Sequence, residues 1–257
     1  MAGEVLLDIA GLSVRFGGVQ ALADVDLQVR QGAIHGLIGP NGAGKTTLLN
    51  CISRLVEPQA GSMRFAGTDL LRCRPWQIAG AGIARTFQNF GLVGELSVLD
   101  NVMAGMHAVH PASLLDELVR PGRRRRAEDS VRTRALEALG LMDLLPLADR
   151  PVGALPYGLR KNVELARAIA TQPRLVLLDE PTAGLSHHDM QALHATLSAW
   201  RRRGEFTVLV ITHHIEFLLA IADEVTVLDL GRTIARGVPS LVRSDPAVVR
   251  AYVGTED

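Results

Sequence analysis

The stretch His35–Asn50, HGLIGPNGAGKTTLLN, decides how the rest of the 257-residue chain is read. Small apolar residues run into a glycine- and proline-containing turn, followed by a lysine, two threonines and leucines at helical spacing. Residues 39–46 fit the pattern G-x-x-x-x-G-K-[ST], with a strand-like run before it and a helical pattern after it. Glycines at 39, 42 and 44 let the backbone curl into a concave loop whose N–H groups face phosphate oxygens. The helix that follows adds the positive end of its dipole. Lys45 brings a point charge to the β- and γ-phosphates, and the Thr46 hydroxyl is a candidate Mg²⁺ ligand. Gly39, Asn41, Gly42, Gly44, Lys45, Thr46 and Thr47 are therefore the expected phosphate contacts. The ligand expected from this loop is a nucleoside triphosphate.

Outward from the loop, the chain alternates. LLDIAGLSVRFGG and VDLQVRQGAIHGLIG carry short apolar or alternating runs cut by glycine, which predict strands. KTTLLNCISRL predicts a helix that ends at EPQAG. From Arg174 onward the order is RLVLLDE as a strand, a helix from about His188 to Arg203, FTVLVIT as a strand, another helix, and EVTVLDLGRTIARG as a hairpin. Such alternation predicts an α/β fold with a mostly parallel sheet covered by helices. Residues 88–165 differ: they are rich in proline and helical patterns such as AEDSVRTRALEALGLMDLL, with few strand-like runs. We read one domain over 1–257, in which 88–165 is an inserted helical subdomain and 1–87 with 166–257 forms the rest. The C-terminal residues predict a short amphipathic tail.

A second chemical feature follows RLVLLDEPTAGLSHHD. Its apolar run is a buried strand, so Asp179 and Glu180 emerge at the carboxyl end, where ligands bind in open α/β sheets. Asp179 is the candidate for holding Mg²⁺, and Glu180 for polarising an attacking water as general base. VLVITHHIEF ends another buried strand in His213, a polar group placed to reach a γ-phosphate.

Composition excludes several classes. Lysine plus arginine equals aspartate plus glutamate at 27 each, so no global charge points to nucleic acid. The N-terminal MAGEVLLDIAG lacks the basic and apolar regions of a signal peptide, and no stretch approaches about 18 uncharged apolar residues. Cys51 and Cys73 have no CxxC or metal-ligand spacing and read as reduced thiols. The basic run RPGRRRRAEDSVRTR reads either as a solvated loop and helix start or as a contact for anionic lipid headgroups.

Taken in order, GPNGAGKTT, RTFQN, LPYGLRKNVELARAIA, LVLLDEP, AGLS and ITHH resemble the ATP-binding subunit of ABC transporters, from about Val5 to Val253. The resemblance implies a P-loop NTPase (RecA-like) core with an N-terminal antiparallel β subdomain and an inserted α-helical subdomain carrying the signature motif. It implies ATP and Mg²⁺ as ligands. Phe16 matches the aromatic that stacks on adenine, Gln88 the glutamine that ligates Mg²⁺ and reports the membrane partner, and His213 the switch histidine. His214 stands where the family usually has aspartate. Leu155–Leu159, with Tyr157 and Gly158, matches the signature that meets ATP held by a second ATPase subunit, either an identical copy or a paralogue. The remaining implied partners are transmembrane permease subunits and, indirectly, a solute-binding protein. The implied location is the cytoplasmic face of the cell membrane.

The signature departs from Leu-Ser-Gly-Gly-Gln at Pro156, Tyr157 and Leu159. Pro156 offers neither hydroxyl nor N–H but suits a helix start, leaving Gly158 and its neighbours to face the phosphate. These departures, with DEPTAGL, the basic helical insert and the terminal AYVG, resemble the ATPase subunits of branched-chain amino-acid importers and their relatives for small polar solutes. Two other readings are an ATPase of a lipid or lipopolysaccharide exporter and a soluble non-transport ABC ATPase. The soluble class usually carries a coiled-coil insertion or two cassettes, and neither is present here. A GTPase is disfavoured by the lack of an Asn-Lys-x-Asp motif.

Overall fold

The computed structural model describes residues 3–86, 91–106 and 121–253. Strands β1 (Val5–Phe16) and β2 (Val19–Arg30) form a long antiparallel hairpin around a turn at Gly17 and Gly18. β3 (Ile34–Ile38) then enters the core and leads into α1 (Lys45–Ile52). β4 (Ala60–Phe65) and β5 (Thr68–Asp69) return to the hairpin and complete a four-stranded sheet in the order β2-β1-β4-β5. β6 (Ile83–Arg85) joins a different sheet.

Helices α2 (Val98–Met106), α3 (Pro121–Leu141) and α4 (Tyr157–Ile169) follow. α4 runs without a break across residue 165. The basic run from Arg123 to Arg126 lies at the start of α3. Strand–helix alternation then resumes with β7 (Leu175–Asp179), α5 (His187–Arg203), β8 (Thr207–Ile211) and α6 (Ile215–Ile221). The hairpin of β9 (Glu224–Asp229) and β10 (Arg232–Gly237) precedes two short helices, α7 (Pro239–Ser244) and α8 (Pro246–Val253). The second sheet has the order β10-β9-β3-β8-β7-β6, parallel except for β10. This is the mixed α/β architecture expected from the sequence, a mostly parallel core sheet with an antiparallel β subdomain.

The central strands read as unbroken apolar runs because both of their faces are covered. Period-two alternation assigns each residue a side. Leu175, Leu177, Leu209 and Ile211 face a core shared with β1, β2 and α1, containing Leu7, Leu27, Leu48 and Ile52. Val176, Leu178, Val208 and Val210 face the opposite core, built with the helices through Leu165, Leu197, Trp200 and Leu218. Sheet order and strand direction thus carry the C-terminal ends of β3, β7 and β8 to one edge, side by side.

Caps set the helix limits. The Ser186 hydroxyl accepts from the Asp189 N–H to start α5, and Gly204, at φ 63°, ends it. Three arginines in its last turn oppose the helix dipole.

His35 is a polar residue inside this hydrophobic strand layer. It is 1% exposed, and its Nε2 lies 2.9 Å from the Thr226 hydroxyl. Burial drives the imidazole down to about 4, against the attraction of the Glu224 carboxylate 3.8 Å away. The ring is therefore neutral at pH 7, and its approach to Glu224 is a polar contact instead of an ion pair. An unfolded histidine titrates near 6.5 (about that value in peptides), so between there and 4 the unfolded chain binds a proton that the folded chain refuses. Stability must fall as pH falls through that window. Between about pH 7.5 and about pH 5 this group alone removes about 2 kcal/mol. Denaturant unfolding at both pH values should show His35→Gln losing that much less than the unsubstituted protein; equal losses would assign the acid sensitivity elsewhere.

Candidate nucleotide-binding site

The loop at 39–44 joins the end of β3 to the start of α1. Gly39, Gly42 and Gly44 have φ of 154°, 80° and 100°, values that side-chain-bearing residues rarely adopt. A β-carbon at Gly44 would stand 2.6 Å from the Ala21 carbonyl oxygen, and one at Gly39 would collide with the carbonyl oxygen of Leu228. The loop is pressed between β2 and the β9–β10 hairpin, and its crest, Asn41 and Gly42, is exposed. Lys45 turns back over it, donating from Nζ to the carbonyls of Gly39 at 2.6 Å and Pro40 at 2.9 Å. Burial lowers its pKa below the ordinary lysine value, while the Glu180 carboxylate pulls it back up. Thr46 is exposed on the first turn of α1, with Thr47 half-buried beside it.

β7 supplies the acidic pair. Asp179, its last residue, is buried, and its Oδ2 accepts from Arg85 Nη2 at 2.9 Å. Its Oδ1 is buried with no hydrogen-bond partner among the described residues. Glu180 takes a left-handed φ of 50°, a strained conformation for a residue with a side chain. Its N–H is held by the Ile211 carbonyl at 2.8 Å. The turn aims its carboxylate at the end of β8, where Oε2 accepts from the His213 N–H at 3.2 Å and lies 2.9 Å from His213 Nδ1. A carboxylate only accepts, so Nδ1 carries the proton in this contact. Below it, the buried hydroxyls of Thr182 and Thr212 meet at 2.8 Å and tie the segment after Glu180 to the end of β8.

His214 has another task. Its Nδ1 accepts from the Phe217 N–H at 3.2 Å and caps α6. An aspartate oxygen would cap the same N–H.

Phe16 ends β1 with its ring half exposed, directly across the hairpin from Val19. Two residues past Val19, the Ala21 carbonyl faces Gly44. Gln88 lies outside the described residues.

The signature residues make contacts within their own chain. Pro156 caps α4, its carbonyl accepting from the Arg160 N–H at 3.0 Å. The Tyr157 hydroxyl donates to the Ala183 carbonyl at 3.2 Å, and its ring lies against Gly184. A β-carbon at Gly158 would stand 2.6 Å from the Asp189 carboxylate. A bulky residue at 158 would therefore disturb Asp189 in the same subunit as well as any contact across a dimer. Tyr157, Lys161, Glu180, Ala183 and His213 line one cleft of about 350 Å³.

Two residues the motifs did not single out join this site. Arg85 is one. Tyr252, on α8, is the other: burial pushes its phenol up to about 12, against the weaker effect of a hydrogen bond from the backbone of Gly39. Both lie in stretches used above only for resemblance, RTFQN and the terminal AYVG, and neither has a local pattern that announces its contact.

Residues 22–183 match the family model described as ABC transporter. Over 249 residues the chain is 35% identical to the high-affinity branched-chain amino acid transport ATP-binding protein BraF of Pseudomonas aeruginosa, covering 97% of this chain and 98% of that protein. It is 36% identical over 251 residues to LivG of Escherichia coli, named for the same transport, covering 98% of each. The ribose import ATP-binding protein RbsA 1 of Rhizobium etli is 35% identical over 253 residues, although the chain spans 47% of that protein. Among solved structures, an ATP-binding cassette of an ABC transporter in its ADP conformation aligns with a TM-score of 0.84 and 31% identity, covering 98% of this chain and 99% of that one. A nucleotide-free cassette aligns with a TM-score of 0.83 and 30% identity, covering 97% and 99%.

Lys45→Ala should leave the loop intact and weaken nucleotide binding. Loss of charge-assisted hydrogen bonds of this type costs about 1.5–3 kcal/mol, or roughly tenfold to a hundredfold in affinity. A fluorescent-nucleotide titration measures it, and unchanged affinity would remove Lys45 from the phosphate site.

Proposed function

This chain belongs to the ABC transporter family of ATP-binding subunits, and from that premise we propose that it drives uptake of a branched-chain amino acid or a similar small polar solute through partner permeases. It binds and hydrolyses ATP, as an ATPase of this family. The observation that supports the substrate class is identity of 35% and 36%, end to end, to BraF and LivG. Similarity to a ribose import ATPase favours import over a lipid or lipopolysaccharide exporter. Among the described residues no helix is long and apolar enough to cross a membrane, so the permeases would supply the path and hold this subunit at the membrane's cytoplasmic face.

The site fits a divalent cation. Asp179 presents one buried carboxylate oxygen with no partner among the described residues, and Thr46 presents a hydroxyl on the adjoining helix turn. We assign Mg²⁺ to Thr46, Asp179 and Gln88; when bound, it neutralises charge on the β- and γ-phosphate oxygens. The loop amides and Lys45 grip the phosphates, and Lys45 exchanges its two carbonyl partners for phosphate oxygens. Phe16 stacks on the adenine. Glu180 orients a water at the γ-phosphate and accepts its proton, while His213 braces the carboxylate and reaches toward the same phosphate. The strained backbone at Glu180 fixes that aim before substrate arrives.

The signature segment Leu155–Leu159, with Tyr157 and Gly158, would complete the cage on a second ATPase subunit, identical or paralogous. Each nucleotide then adds contacts that exist only in the closed pair, and hydrolysis removes them. A solute-binding protein would act on the far side of the permeases, without touching this chain.

Glu180→Gln should keep ATP binding and lose steady-state phosphate release by about 10²–10⁴-fold, the usual contribution of a positioned base. Turnover near the unsubstituted rate would remove Glu180 from that role. Purification of the full complex from membranes, followed by solute-stimulated ATPase assays, tests the substrate class. Stimulation by leucine, isoleucine or valine is expected, and a response restricted to sugars or lipids would overturn it.

A further inference from the structure

We propose that Arg85 is a positioning residue for the cation site: its guanidinium clamps one oxygen of Asp179 and so presents the other. This rests on the reading that the chain binds magnesium–ATP. Arg85 ends the edge strand β6. Nη2 donates to Asp179 Oδ2 at 2.9 Å, and both side chains are more than nine-tenths buried. Nη1 donates to Asn50 Oδ1 at 2.8 Å and to Ser53 Oγ at 3.2 Å, at the far end of the helix that begins with Lys45 and Thr46. One planar cation thus spans three elements: the strand carrying Asp179, the helix carrying Lys45 and Thr46, and its own edge strand.

The neighbouring residue helps. The Thr86 N–H bonds the Leu177 carbonyl at 3.0 Å, and its hydroxyl accepts from the Asp179 N–H at 3.4 Å. The aspartate is held by its backbone and by one carboxylate oxygen, and the oxygen left over is the one that lacks a partner among the described residues.

Two effects of Arg85 oppose each other. Its positive charge repels a cation. Its fork fixes the ligand, and removing residues that orient a metal ligand typically weakens the metal by about 10–100-fold. Charge-conserving changes separate the two. Lysine keeps the positive charge but has a single ammonium, which does not reproduce a planar fork spanning Asp179 and α1. Asn50→Ala with Ser53→Ala keeps the guanidinium and removes its two contacts to α1. In both variants repulsion stays and orientation is lost.

The test measures how much Mg²⁺ tightens binding of N-methylanthraniloyl-ATP, as the ratio of affinities with saturating Mg²⁺ and with EDTA. Thermal unfolding checks that each variant is folded. In Arg85→Lys, and in the Asn50→Ala/Ser53→Ala double variant, the ratio should shrink about tenfold while the EDTA affinity stays at the unsubstituted value. An unchanged ratio in both folded variants overturns the proposal. So does an equal loss with and without metal, which would place the effect in the phosphate loop through α1. Should Arg85→Lys not fold, the double variant, which leaves the buried charge pair intact, decides alone. Failure of the unsubstituted protein to bind the nucleotide would instead overturn the functional reading itself.

Discussion

The carbonyl oxygen of Leu228 lies where a β-carbon on residue 39 would have to be. That backbone-to-backbone contact, with the matching one between Gly44 and Ala21, is the constraint on which the molecule depends. It lets the loop at 39–44 sit in a slot between the antiparallel sheet and the β9–β10 hairpin. Without side chains at these two positions, the loop can pack against both walls at backbone distance. The glycine pattern in the sequence is therefore as much a statement about packing as about phosphate.

Around this slot the chemistry is built from strand ends. β7 and β8 are parallel and adjacent, so Asp179 pairs in register with Ile211 and the residues just beyond them converge. Glu180 and His213 meet there because each lies within two residues of the end of a fully buried strand, where burial ends and a polar group can point outward. The left-handed turn at Glu180 does what strand geometry alone would not: it swings a carboxylate sideways toward the neighbouring strand end. Arg85, from the next strand over, neutralises the aspartate beneath.

Much of this could be read from residue order. The alternation of apolar runs gave the sheet, the glycine–lysine spacing gave the loop, and the acidic pair that ends LVLLDE gave the metal and base candidates. Less legible were contacts made through space by residues with no local signature. Arg85 and Asp179 are far apart in sequence, and an arginine in a short strand-like run looks like any surface cation until the strand proves to be an edge beside a buried carboxylate. His214 looks like half of a histidine pair, yet its geometry makes it a helix cap, a distinction set by where α6 begins. Gly158 looks like a residue kept small for a partner subunit. The structure adds a second reason, the Asp189 carboxylate packed against it.

The hydrogen bond between Tyr252 and the backbone of Gly39 has a practical corollary for anyone handling this protein. The last helix touches the start of the 39–44 loop through this residue, so an affinity tag fused just beyond it, or a protease cut that loosens it, is expected to bear on that loop. Preparations tagged at opposite termini should therefore be compared for nucleotide affinity before they are treated as equivalent.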